Sequence, residues 1–346
     1  MTESFLAAAS ARAADGIGGA LSTRISTWRE RVPKLAAYLA DTDATSYSRR
    51  AILEELCDAT PPTLIHPHLA DILPCLCDED IDVCFAATTL LLACCNSDCL
   101  APHASQLLGH FERAPDSARW RVAEVLALID ESVLAARTSD VLALCSSASD
   151  DVRRRAVELM AKLPVATIQE HVGALLPRLE DEDEDCRLSA LELFQRQLPP
   201  ETVEAHLAAI LQRLEDDEEG MIRMTAVGTI ARLPVATLVT LTPRLIARLE
   251  DGFWRVRRHA MEVLATLPPS ALAAEAGTVV QHLEHTDARV REWAVAALGA
   301  LWVALDADGV ARWTEGASAQ LTRLKDSDED RRVRERAAAL CTRMAW

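Results

Sequence analysis

Residues 249–267 read LEDGFWRVRRHAMEVLATL: an acidic turn, then Val256 and Arg257, then Ala260 four positions after the valine. The phrase returns as DDVRRRAVELMAKL at 150–163 and as DARVREWAVAALGAL at 287–301. Working outward from these copies, a hydrophobic marker recurs at Val83, Ala118, Val152, Cys186, Ile222, Val256, Val290 and Val333, at steps of 35, 34, 34, 36, 34, 34 and 43 residues. An arginine follows the marker at Arg119, Arg153, Arg187, Arg223, Arg257, Arg291 and Arg334. Four positions after it comes Ala87, Ala156, Ala190, Ala226, Ala260, Ala294 or Ala337, with Val122 the exception. A fainter copy surrounds Tyr47 and Ala51.

Val152, Ala156, Leu159 and Met160 fall on one helical face, so each phrase predicts a first helix of about three turns. The small residue in mid-helix lets a neighbouring helix approach closely. Acidic residues before the marker, such as Asp150, Asp185 and Asp287, suit the exposed amides of a helix start. About twelve residues after four of the markers comes a proline break: LPVAT at 163–167 and 233–237, LPPET at 198–202, LPPSA at 267–271. A second helix is expected next, ending in LLPRLED at 175–181, ILQRLED at 210–216, LIARLED at 245–251 and VVQHLEH at 279–285. One such unit cannot bury its apolar face alone; stacked neighbours complete a continuous core, which makes a solenoid.

DDVRRRA at 150–156, DARVREWA at 287–294 and RRVRERA at 331–337, each with its following turn, resemble the HEAT-repeat family of armadillo-like α-solenoids. The resemblance implies an all-α fold, a right-handed alpha-alpha superhelix of about eight or nine two-helix repeats. It also implies protein binding more than chemistry, since the family includes phosphatase scaffolds and transport receptors. Residues 1–40 are expected to form an N-terminal helical cap and 41–346 the repeat array, with an enlarged repeat around 302–326. There LWVALDADGVARW at 301–313 predicts a capped turn and a projecting loop, with Trp313 as an exposed anchor for a partner.

Composition fits this reading. The 346-residue chain is 50% hydrophobic but only 4% aromatic, with Ala, Leu and Val favouring packed helices. A net charge of −17 disfavours nucleic acid as a partner. Without an uninterrupted apolar 20-mer or an early signal-peptide stretch, no membrane association is expected, and the protein is placed in the cytoplasm or the nucleus.

Chemistry-bearing residues are few. Residues 74–103 hold Cys75, Cys77, Cys84, Cys94, Cys95, Cys99 and His103, read here as small buried hydrophobes rather than metal ligands. No catalytic, cofactor-binding or metal-binding residues are assigned, and no cofactor is expected. His171 and His206 occupy equivalent places in adjacent second helices and are candidates for a concave binding surface. Arg178, Arg213, Arg248, His282 and Arg323 share a place near the ends of second helices, where they suit the negative helix end or could form a basic row. Beside them lie EDEDED at 180–185, EDDEE at 215–219 and DSDED at 326–330. These acidic turns would attract proteins with basic segments, and Asp216, Asp217, Glu218 and Glu219 are the candidate contact residues. The function expected is a non-enzymatic interaction scaffold or adaptor, such as a regulatory or scaffolding subunit. DARVREWAVAALGAL also resembles the short repeats of phycobilin lyases, so the alternative is a HEAT-like lyase or chaperone for a cofactor-bearing protein.

Overall fold

A computed structural model describes residues 18–41, 44–59, 61–304 and 307–344. Among these residues all regular structure is helical. The first helices fall where the repeated phrase puts them, at Ser46–Ala59, Ile81–Cys94, Asp116–Leu126, Asp150–Met160, Glu184–Arg196, Gly220–Ile230, Trp254–Leu264, Ala288–Ala304 and Arg331–Arg343. All eight hydrophobic markers are at most 1% exposed, and the small residues one turn later are fully buried. Thus the two most regular positions of the repeat form the seam along which first helices meet.

The chain divides into two compact units, Met1–Ala174 and Leu175–Trp346. In the first, Ser46–Ala59 packs on Ile81–Cys94, which packs on Asp116–Leu126. In the second, Glu184–Arg196, Gly220–Ile230, Trp254–Leu264, Ala288–Ala304 and Arg331–Arg343 pack in chain order. Helices approach closely at Gly220, where an added Cβ would lie 2.6–2.8 Å from Phe253 carbons of the next turn.

The second helices are not the single rods that the sequence suggests. Each described one before Ala288 is broken into shorter pieces, in most units a mixture of α and 3-10 turns. In most units the break falls on one residue whose backbone relaxes to φ near −100° and ψ near +10°, the sparsely occupied bridge region. His68, His103, Arg137, His171, His206, Leu241 and Glu275 hold this place, at 34- or 35-residue steps. Four of the nine histidines are therefore kink residues.

The long repeat near the C-terminus corrects an expectation. Its extra residues lengthen helices instead of projecting a loop: Ala288–Ala304 has 17 residues and Ala307–Ser327 has 21. LWVAL at 301–305 stands where four of the units carry a Leu-Pro break. Asp308 and Gly309 lie in helix rather than in a turn, and Asp306 is outside the described residues. Trp313 is not an exposed anchor. It is 2% exposed and lines up with Ala317, Leu321 and Leu324 on the helix face turned into the core.

Candidate protein-interaction surface

The marker arginines and the acidic turns build one device, repeated along the turn edge of the second unit. Arg187 donates through Nη1 to the carbonyls of Asp181 and Glu182 in its own turn, at 2.8 and 3.0 Å. Through Nε and Nη2 it holds the Asp217 carboxylate of the next turn at 2.9 and 3.3 Å. Arg223 repeats this on Asp251 at 2.7 and 2.8 Å, and Arg291 on Asp328 at 2.8 and 2.9 Å. Arg257 holds Asp287, and Arg334 binds the carbonyls of Asp328 and Glu329. The aspartates are doubly used, because Asp217, Asp251, Asp287 and Asp328 each also accept the amide two residues on. Such two-pronged, charge-assisted bonds fix the register between successive units.

Burial tends to raise the carboxyls of Asp251, Asp287 and Asp328. The hydrogen bonds and charges of Arg223, Arg257 and Arg291, with the local amides, outweigh it and hold all three below the usual range.

One turn departs from the pattern. His285 sits six residues before Arg291, where Asp181, Asp217, Asp251 and Asp328 precede their own arginines. Its Nδ1 accepts the Asp287 amide at 2.9 Å, and Asp287 supplies the carboxylate for Arg257 two positions later. His282 stacks on His285 at 6.3 Å and donates Nδ1–H to the Thr278 carbonyl, while its Nε2 lies 3.2 Å from a Glu250 carboxylate oxygen without an aligned hydrogen bond.

The first unit carries an interrupted version. Arg49 pairs with Asp78 at 2.7 Å, and Arg119 reaches the Ser149 hydroxyl at 3.1 Å. Between them Cys84 occupies the arginine place and donates its thiol to the Asp78 carbonyl.

This device decides what the candidate residues can do. Asp217 is not a free surface carboxylate. Its side chain is fully covered, gripped by Arg187 and by Arg213 at 3.4 Å, which removes it from the contact set. The side chain of Asp216 lies outside the described residues. Glu218 and Glu219 are exposed, and the structure adds Glu182, Glu184 and Asp185, also exposed, from the preceding turn. Together they border a groove of about 530 Å³ that also touches Arg187, Arg213 and Asp217. Glu219 stands close enough to push the Glu184 carboxyl up by charge repulsion, with slight burial and a shared hydrogen bond adding to it. Excess negative charge thus collects at this edge, because the nearby arginines are already committed inward.

The expected basic row is likewise committed. Arg178 bonds Asp181, Arg213 bonds Asp217, and Arg248 donates to the Leu214 carbonyl of the preceding unit's helix end. Only Arg323, paired with Glu284, remains largely exposed. His171 and His206 are half-buried kink residues, one in each unit, and His206 meets Phe194 edge-on at 6.2 Å. Of the tryptophans, Trp120 and Trp254 are about half exposed, at 48% and 44%, each under an arginine guanidinium. In sequence the marker arginine could reach carboxylates of its own or the adjacent unit, and in the second unit it holds the carboxylate of the next turn.

Residues 242–341 match a family model described as HEAT repeats. No curated protein matches the chain. Among solved structures, Kap95p in complex with RanGDP aligns over 96% of this chain and 49% of its own, with a TM-score of 0.55 and 14% identity. The Kap95:Nup1 complex aligns over 90% and 46%, with a TM-score of 0.55 and 15% identity. The karyopherin Kap121p bound to the extreme C-terminus of the phosphatase Cdc14p aligns over 91% and 38%, with a TM-score of 0.53 and 17% identity. Kap95p is the yeast importin-beta. The chain spans half or less of these karyopherins' lengths, and at such identity the likeness is one of fold. No described helix is long and apolar enough to cross a membrane. The recurring phrase and the paired-helix units stacked through buried alanines give this chain an all-α solenoid fold, and residues 242–341 are matched as HEAT repeats.

Proposed function

We propose that the protein is a non-enzymatic interaction scaffold or adaptor that takes basic protein segments along the acidic turn edge of its second unit. One observation carries the reading: the carboxylates of Glu182, Glu184, Asp185, Glu218 and Glu219 crowd a groove whose arginines are bound inward. Carboxylates that repel one another gain most from an incoming ammonium or guanidinium, and long-range attraction raises the encounter rate with basic partners. The fold relatives support a protein partner, since Kap95p and Kap121p were crystallised with protein ligands.

The test is affinity capture from native extract with two baits, the intact protein and a Glu184→Lys/Glu218→Lys/Glu219→Lys variant, at low and raised salt. A partner held by the first bait, released by salt and missing from the second, is the expected result. Equal capture by both baits counts against this edge. Asp217 stays unchanged in the variant, because its loss would unfold the edge rather than discharge it.

A further inference from the structure

We infer that the first unit carries a binding site for a soft, thiophilic divalent cation of the zinc class, built from His66, Cys95 and Cys99. Three separate elements bring the ligands together. His66 opens the 3-10 turn His66–His68, Cys95 follows the last residue of the helix Ile81–Cys94, and Cys99 lies in the short helix Ser97–Leu100. One ring nitrogen of His66 and the two sulfurs lie within 4.8 Å of one another, and all three residues are partly exposed. Tetrahedral zinc with two thiolates and an imidazole needs donor atoms about 3.5 Å apart, so side-chain rotation of roughly 1 Å closes the site.

The surroundings are arranged as those of a ligand set. His66 Nε2 lies 2.8 Å from the Cys94 carbonyl. A carbonyl only accepts, so Nε2 carries the proton and Nδ1 keeps the lone pair that a cation requires. Cys99 Sγ accepts the Asn96 amide at 3.1 Å and its thiol donates to the Asn96 carbonyl at 3.2 Å, while the Asn96 side chain accepts the Cys99 amide at 3.2 Å. An N–H···S bond supports charge on sulfur, and the reciprocal pair fixes the turn between Cys95 and Cys99. Two more thiols stand nearby. Burial first, then neighbouring Cys57 and Cys99, push the Cys94 thiol up to about 11. Cys94 and Cys57 lie outside the three-atom cluster. Two thiolates and an imidazole select zinc over magnesium or calcium, which take oxygen donors. Ligand formation is written simply: Cys95 and Cys99 lose their protons to solvent as two S–metal bonds form, and His66 donates its lone pair.

The test uses the reduced full-length protein, dialysed against Zn²⁺ and assayed by elemental analysis, with Co²⁺ substitution as the spectroscopic probe. One equivalent of zinc and a thiolate-to-cobalt charge-transfer band are expected. His66→Ala, Cys95→Ser and Cys99→Ser should each weaken binding at least about tenfold, while Cys57→Ser and Cys94→Ser keep it. The cobalt band of the unmodified protein reads sulfur ligation even if a variant folds poorly. Zinc retained undiminished by the folded Cys95→Ser/Cys99→Ser protein, a cobalt spectrum without thiolate character, or a Cys95–Cys99 disulfide that persists in reductant would each overturn the site.

Discussion

At the residue scale, the second compact unit uses one arginine and one aspartate per repeat to join turn to turn, and Asp217 shows what this costs to break. Its carboxylate is fully covered and serves two arginines. Asp217→Ala strands both, and a loss of about 3–5 kcal/mol is expected, against less than about 0.5 kcal/mol for Glu218→Ala next to it. Hydrogen exchange of the amides in 210–230 would read the difference locally, which matters because stacked repeats need not unfold in one step. Proton linkage has a definite sign. The carboxyls of Asp251, Asp287 and Asp328 are depressed in the folded state, so their stabilisation is complete above the unfolded carboxylate value near about 3.9 and is lost as pH falls through the lower folded values. Glu184 works the other way. Its folded carboxyl is raised, so acidification through that range relieves repulsion and Glu184→Gln should stabilise the protein at neutral pH but not in acid. Urea midpoints from pH 3 to 7 for the parent, Asp251→Asn and Glu184→Gln proteins would separate the two effects. Trp313 belongs here as well: buried to 2%, its replacement by Ala should cost about 3–5 kcal/mol through the cavity left behind.

At the element scale, the first helices were readable from the sequence, because marker, arginine and alanine recur with helical spacing and every marker is buried. The kinks in the second helices were not. A break at His171 or Leu241 needs only one residue relaxed to the bridge region, and neither a proline nor a glycine at that residue announces it. The misreading of Trp313 has a related origin. DADG looks like a turn in isolation, yet with no proline to stop it the segment joins a 21-residue helix whose apolar face is continuous. His66 was missed for a third reason, since 29 residues separate it from Cys95 and only the packing of successive units brings them together. The histidine grouped with these cysteines in the sequence was His103, which hydrogen-bonds Gln106. The expectation that these cysteines are buried holds for Cys75 and Cys84 and fails for Cys77, Cys94, Cys95 and Cys99, which are half-buried. Gly220 offers a clean test of how closely the helices meet. An added methyl collides with Phe253 down to its Cβ at 2.8 Å, which a ring rotation does not relieve. Gly220→Ala should therefore cost about 1–3 kcal/mol despite the better helix propensity of alanine, as read from the shift in urea midpoint.

At the scale of the whole molecule, the charge balance makes sense once the inward bonds are set apart. A net charge of −17 could be a solubility device spread evenly over the surface. In the second unit it is not even: the marker arginines are used within the turn edge, and the glutamates outside it are left in surplus. That surplus is the basis for a basic partner, and the sequence showed the acidic runs without showing which carboxylates were already taken. The direct measurement is calorimetric titration of the intact protein with a Lys/Arg-rich peptide at low and raised salt, beside the Glu184→Lys/Glu218→Lys/Glu219→Lys variant checked by circular dichroism. Saturable binding that weakens with salt and falls at least about tenfold in the folded variant is the result this account expects. Binding of equal strength in the variant, or none by the intact protein at low salt, would contradict it.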